Sequence, residues 1–313
     1  MTAPFERHRL QTAPNPLERI VDALRVLRIQ SHKARYGDGP TPELPSRKAI
    51  VEIVDNLASC LFPRHYGPHG LVGEGVDGFI LARLDATLQS LRRQISLELA
   101  LRPDARDGRV EAATAAEIVR QYAEQLPRIR ALLESDIHAA YEGDPSATSL
   151  DEVMCCYPGV TAIIRHRLAH DLYRLGAPII ARIIAEVAHS ATGIDIHPGA
   201  QIGAGVFIDH GTGVVIGETA IIGRRVRLYQ AVTLGARRFE TDPSGALLKT
   251  YPRHPVIEDD VVVYAGATIL GRITVGRGSV IAGNVWLTHS VPPGSNITQA
   301  KIRESTFDDG AGI

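Results

Sequence analysis

The chain has 313 residues, 34 basic and 35 acidic side chains, and a formal net charge of −1 at pH 7. That length suggests about two domains, the near-neutral balance argues against broad nucleic-acid binding, which needs a basic stripe, and no apolar run approaches the ~20 residues that cross a bilayer. Three cysteines, Cys60, Cys155 and Cys156, are too few for a disulfide framework, and residues 1–16 lack the apolar core of a signal peptide, so a reducing cytoplasm is the expected location.

The first 190 residues read as helices. Leu17, Ile20, Val21, Leu24, Leu27 and Ile29 recur at helical spacing between Pro16 and Tyr36. Ile50, Ile53, Val54 and Leu57 repeat the pattern over 46–61, where Pro63 ends it. Residues 67–78 are glycine-rich and read as a loop. A long helix is predicted over 79–101, and one helix, or two broken near Pro127, over 110–141. Gly143-Asp144-Pro145 reads as a turn, and 158–190 gives two helices joined at Gly176.

From Ile194 the spacing becomes six. Ile196, Ile202, Ile208, Val214, Ala220, Val226 and Val232 keep an unbroken interval of six residues, and Gly199, Gly205, Gly211, Gly217 and Gly223 form a second ladder. A second run, Ile257, Val263, Ile269, Val275, Ile281 and Leu287, differs in phase by one residue, so an excursion lies over 236–252. A period of six is the signature of a hexapeptide β-helix, in which each hexad is a short strand plus a turn. Small apolar residues stacked inside a narrow prism also account for an aromatic content of only 5%.

Four segments carry a family resemblance: His166-Arg-Leu-Ala-His170, Asp195-Ile-His-Pro-Gly199, the run from Ile208 to Thr219 that contains Asp-His-Gly-Thr-Gly, and Pro252-Arg-His-Pro255. Together they resemble the serine O-acetyltransferases of the hexapeptide acyltransferase superfamily. The resemblance implies an α+β chain: a helical domain over 1–190, a left-handed parallel β-helix over 191–293 with an extruded loop, and a tail over 294–313. It also implies acetyl transfer from acetyl-CoA to the hydroxyl of L-serine, in the service of cysteine biosynthesis.

That reaction needs a base, because a neutral hydroxyl is a poor nucleophile. His210 suits the role, since an imidazole pKa near ~6.5 makes it usable at neutral pH. Asp195 lies fifteen residues earlier, almost one coil of three hexads, and a carboxylate there would fix the imidazole tautomer; the resemblance implies the same pairing. It assigns Asp209 and Asp144 to the substrate ammonium, although Asp144 in its Gly-Asp-Pro setting reads equally as a turn-former. Arg253 suits the substrate carboxylate, and His254 beside it is expected to face the same site. Because such loops reach across to a neighbouring prism, the site is expected to be shared between subunits.

Acetyl-CoA is expected along a prism edge, with its pantetheine amides near Ala265-Gly266 and Ala282-Gly283 and its phosphates near a base such as Arg277. His166 and His170 stand at i and i+4, but a zincin motif would need Glu where Arg167 stands, so a solvated or hydrogen-bonded helix face is the better reading. No metal is expected. A rival reading, a γ-carbonic-anhydrase-like enzyme holding zinc through His197, His210 and His254, lacks the close histidine pair of that class. Homoserine or a sugar hydroxyl is the nearest rival acceptor, and a bare scaffold displaying helices leaves the Asp-His pairs unexplained. The family also implies a homotrimer or a dimer of trimers, feedback inhibition by L-cysteine, and a tail ending at Ile313 that docks into O-acetylserine sulfhydrylase. Neither a nucleic-acid nor a membrane partner is expected.

Overall fold

The computed structural model describes residues 15–39, 41–73, 75–102, 108–249 and 251–299. They fall into two compact units, 1–43 and 44–313. In the first, α1 (Pro16–Tyr36) starts at a capping box: the Asn15 side chain accepts from the helix, and Glu18 returns the bond to the Asn15 N–H.

The second unit opens with α2 (Arg47–Leu61), capped by Ser46, and a single turn, α3 (Pro63–Tyr66). Pro63 thus starts a new turn as well as ending a helix, which suits its fixed φ at N1. Then come α4 (Gly75–Leu99), α5 (Gly108–Gly143), a short α6 (Leu150–Cys156), α7 (Pro158–Arg174) and α8 (Pro178–Thr192). α5 runs unbroken through Pro127. α6 was not expected from periodicity; its signal was Ser149, whose hydroxyl accepts from Glu152 N–H as an N-cap. Ile50, Leu57, Leu91, Ile95, Leu133, Leu168 and Ile184 are fully buried in a common helical core. Among the described residues no helix is long and apolar enough to cross a membrane.

Short strands follow in chain order: β1 (Asp195–Ile196), β2 (Gln201–Ile202), β3 (Phe207–Ile208), β4 (Val215–Ile216), β5 (Ile221–Ile222), β6 (Arg227–Leu228), β7 (Thr233–Gly235), β8 (Val256–Ile257), β9 (Val262–Val263), β10 (Thr268–Leu270), β11 (Thr274–Val275), β12 (Val280–Ile281), β13 (Trp286–Leu287) and β14 (Asn296–Ile297). Strands pair in parallel three places apart, except that β12 pairs with β14, giving a first sheet β1-β4-β7-β10-β13, a second β11-β8-β5-β2 and a third β14-β12-β9-β6-β3. This is the left-handed parallel β-helix of hexapeptide repeats, and it runs to Ile297, four residues past the expected end.

The apolar ladder differs from the sequence reading in an informative way. Ile196, Ile202 and Ile208 are the inward residues of strands, but Val214, Ala220, Val226 and Val232 are buried turn residues that precede the inward Ile216, Ile222, Leu228 and Leu234. Asp195 pairs with Val215, a step of 20 residues, whereas Val215 pairs with Thr233, a step of 18. The turn holding His210 is therefore two residues longer than its neighbours. A unit interval of six hid this insertion because each hexad has two interior positions two residues apart. The extra turn and the 236–252 excursion together account for the phase shift between the two runs. Within the excursion, Asp242 accepts from Ser244 N–H and Ala246 N–H, closing a small hairpin bridged between Thr241 and Leu247.

Helices and prism are joined by a buried ion pair. Arg167 on α7 donates to Asp136 on α5 through Nε (2.6 Å) and Nη2 (2.9 Å), and also to the Ile202 and Gly203 carbonyls. Asp136 takes a further bond from Val206 N–H. Both oxygens of the buried carboxylate and all three guanidinium nitrogens are thus engaged, which favours toleration of such a pair. α7 also comes so close that a Cβ on Gly159 would lie 2.1 Å from the Ile208 carbonyl oxygen.

Candidate active site

The two edges of the first sheet carry the expected site residues. One edge is the stack of turns entering β4, β7, β10 and β13. Its rungs are tied by Gly213 N–H to Gly193 O, Ala231 N–H to Thr212 O, Gly266 N–H to Gln230 O and Asn284 N–H to Ala265 O. His210 sits in the lowest long turn with φ of 58°, a left-handed conformation that costs a non-glycine residue about 1–3 kcal/mol and is held by the turn around it. Its ring is largely exposed, and its Nδ1 lies 3.6 Å from Asp209 Oδ1, longer than a hydrogen bond.

Asp209 itself is buried at 5% exposure, and its Oδ2 accepts from Arg227 Nη2 at 2.6 Å. The Arg227 guanidinium lies over the Phe207 and Tyr229 rings, 5.0 and 4.7 Å from their centroids. Asp144, just past α5, belongs to the same neighbourhood, since a Cβ on Gly143 would meet both Phe207 and Arg227. Tyr157 OH (2.5 Å) and the Ser146 N–H and hydroxyl donate to it, which holds its carboxyl down at about 2 and pushes the Tyr157 phenol up to about 12. Asp144 is thus a turn-former and a neighbour of Asp209 at once. Asp195 opens β1 beside this edge. Among the described residues no hydrogen bond joins it to His210, whose nearest carboxylate is Asp209.

Ala265-Gly266 and Ala282-Gly283 stand higher on the His210 edge. Gly266 N–H and Ala282 N–H are taken by Gln230 O and Ile297 O, and the Ala265 carbonyl by Asn284. Arg277 is elsewhere: it lies in the turn between β11 and β12, at a different edge, with Nη2 2.9 Å from Asp259 Oδ2.

The opposite edge of the first sheet, where β4 leads to β5 and the excursion returns to β8, carries His254. It is buried at 7% exposure. Its Nδ1 accepts from Thr219 N–H (3.1 Å) and faces the Thr219 hydroxyl (2.9 Å), and that same hydroxyl oxygen accepts from the Arg253 and His254 N–H groups. The network assigns the ring proton to Nε2. Burial, then the Arg253 charge, pushes the imidazole down to about 4, so it is neutral at neutral pH. Glycine at 217 makes room for the ring, since a Cβ there would lie 2.0 Å from His254 Cδ2 and would displace it.

Arg253 donates to Glu218 Oε2 (2.6 Å), and Tyr173 OH donates to Glu218 Oε1 (2.9 Å). Burial opposes the Glu218 charge, but these two bonds outweigh it and hold the carboxyl below its ordinary range. His197 packs edge-on against Tyr173 and accepts from Gly199 N–H through Nδ1, a turn-forming role; burial pushes it to about 4. His166 is buried at 3% exposure, and the half-buried His170 donates through Nδ1 to the Pro198 carbonyl, as the hydrogen-bonded reading of this helix face expects.

The histidines of the zinc reading are divided, with His210 on one edge and His197 and His254 on the other. Among the described residues no group of three or more His, Cys, Asp or Glu side chains is placed to hold a metal ion. Glu218 and Thr219 lay inside a quoted motif, yet their spacing alone gave no role. Arg227 and Tyr157 had no sequence signal, since one is an outward hexad position and the other follows a helix. Ile313 lies outside the described residues.

A family model described as bacterial transferase hexapeptide (six repeats) matches residues 254–289. The chain is 59% identical over 276 residues to a plasmid serine acetyltransferase of Synechococcus elongatus, covering 86% of each. A crystal structure of Entamoeba histolytica serine acetyltransferase 1 in complex with L-cysteine superposes with a TM-score of 0.70 at 33% identity, covering 90% of this chain and 97% of that one. The Neisseria gonorrhoeae serine acetyltransferase in complex with serine gives 0.53 at 26% identity, covering 83% and 99%. With the prism, its two histidine-bearing edges and a relative this similar over this much of its length, the chain belongs to the serine acetyltransferase family.

Proposed function

We propose that this chain transfers the acetyl group of acetyl-CoA to the hydroxyl of L-serine, giving O-acetyl-L-serine and CoA for cysteine biosynthesis. One observation carries the reading: the first sheet has an exposed imidazole beside a buried carboxylate on one edge, and a buried neutral imidazole beside a guanidinium on the other. The two half-sites become one when the His210 edge of one prism meets the His254 edge of the next, as in a closed trimer of three such contacts.

In that arrangement His210 Nε2 takes the proton from the serine hydroxyl as its oxygen bonds to the acetyl carbon. The C–S bond then breaks, and the imidazolium returns the proton to the departing thiolate. Asp195 and Asp209 are the carboxylates available to that imidazolium. The neutral His254 of the neighbouring prism supplies an Nε2–H donor where negative charge gathers on the carbonyl oxygen. Arg253 receives the serine carboxylate, Asp209 and Asp144 attract its ammonium, and the backbone at Ala265-Gly266 and Ala282-Gly283 flanks the pantetheine arm.

L-Cysteine carries the same ammonium and carboxylate as serine, so it competes for this site. The cysteine-bound relative supports that reading. Docking of a tail ending at Ile313 into O-acetylserine sulfhydrylase, a dimer of trimers and a cytoplasmic location complete the proposal. The test is thiol release from acetyl-CoA with a panel of hydroxy acceptors: serine should be preferred over homoserine and sugar hydroxyls, with cysteine competitive against it. Equal turnover with homoserine would overturn the substrate assignment.

A further inference from the structure

Arg227 stands at an outward position of β6, opposite Phe207 of β3, yet its side chain is only 25% exposed. Its Nη2 donates to Asp209 Oδ2, and among the described residues Asp209 is its one ion-pair partner. The guanidinium lies over the Phe207 and Tyr229 rings. Tyr229 in turn stacks on Tyr264 with centroids 5.1 Å apart, and Phe207 stacks on Tyr157, the donor to Asp144. Arg227 Nε is buried without a hydrogen-bond partner. An arginine on an outward strand position escapes that cost by turning its head to water. This one stays folded down, held by two rings and a carboxylate.

The consequence falls on Asp209. Arg227 occupies its Oδ2, while its Oδ1 lies on the side of His210, 3.6 Å from Nδ1. A charge-assisted bond to one oxygen fixes the carboxyl plane, and with it the direction of the other oxygen. The guanidinium also offsets one of the two negative charges that Asp144 and Asp209 bring to a single ammonium. Without it, a buried carboxylate would stand beside a second carboxylate with no cation of the chain to compensate it.

We infer that Arg227 is a positioning residue for acetyl transfer: stacked over Phe207 and Tyr229, it anchors Oδ2 of Asp209 so that Oδ1 is presented to the acceptor beside His210. The inference rests on the serine reading above and adds to it a residue that acts only through Asp209. The measurement is a double-mutant cycle on KM for serine, with KM for acetyl-CoA as the internal control. Arg227→Gln should raise the serine KM, and the inhibition constant of L-cysteine, by roughly tenfold or more, the scale of one charge-assisted hydrogen bond. Its KM for acetyl-CoA should stay within about twofold. Arg227→Lys keeps the charge but not the planar fork over the rings, so it should recover only part of the loss. Asp209→Asn/Arg227→Gln should bind serine no worse than Asp209→Asn alone, because the guanidinium then has no carboxylate to aim. The double variant carries no uncompensated buried charge, so this comparison decides the matter even where Arg227→Gln alone fails to fold. An unchanged serine KM in Arg227→Gln, losses that multiply in the double variant, or an equal rise in KM for both substrates overturns the inference while leaving the acetyltransferase reading intact. If the unmodified chain releases no thiol from acetyl-CoA with serine present, the parent reading itself fails.

Discussion

On one edge of the first sheet a histidine stands in solvent on a left-handed backbone; on the other a histidine is buried, neutral and fixed by a threonine. His210 is free to meet a substrate proton, whereas His254 is pinned through Nδ1 and offers only its Nε2–H. The same side chain thus acquires two capacities, acceptor and donor, from burial and hydrogen bonding alone. A single prism cannot bring the two together, because one sheet separates them. In the proposed reading identical subunits associate through complementary edges, and catalysis becomes a property of the contact.

Removing the acceptor should have the largest effect. His210→Ala is expected to lower kcat by roughly 10²–10⁴-fold, the usual contribution of a positioned base, with thermal stability unchanged because the ring is exposed. Asp195→Asn should lose less, since it is not bonded to the ring. Steady-state thiol release on purified variants checks both, and a His210→Ala enzyme keeping half its kcat/KM would sink the role.

The donor edge is broken differently. Gly217→Val places carbon where the His254 ring lies, so the ring must leave Thr219. A displacement of about 1 Å can cost on the order of 10²-fold. We expect that loss in kcat from steady-state assays, with the assembly still intact by sedimentation. Normal turnover in the variant would show that the seat of His254 does not matter.

How much of this was readable beforehand depends on periodicity. The prism was legible because each hexad repeats the same burial, whereas His210, Asp209, His254 and Arg253 stood out through the motifs that carry the family resemblance. The division into edges was not, since it depends on which turn follows which strand, and the two-residue insertion at His210 was absorbed into an apparently perfect ladder. Long-range partners were equally hidden. Arg227 reaches Asp209 across one coil, and Tyr157 reaches Asp144 from the junction between α6 and α7. No local pattern encodes such pairs, because packing of distant segments decides them. Helix existence was read well, but α6 was too short to show a period.

The smallest expected effect concerns acid. His197 and His254 titrate at about 4 in the folded chain and near 6.5 when unfolded, and buried His166 is lowered in the same direction. Between those pH values the unfolded chain binds protons that the folded chain refuses, so stability rises with pH across the window. It is complete above about 6.5 and is lost as pH falls toward 4. Asp144, held at about 2, gives way only below that range. Glu98 and Asp136, whose carboxyls burial raises, act in the opposite sense, so a difference between variants is more telling than the slope itself. His197→Asn is the suitable probe: its side-chain oxygen can accept from Gly199 N–H as Nδ1 does, but it cannot titrate. Calorimetry at pH 7 and pH 4.5 should show a fall in Tm for both proteins, shallower by a few degrees in the variant. Parallel falls would mean that the His197 ring finds its proton without unfolding, and that the buried edge is more open to water than its hydrogen bonds imply.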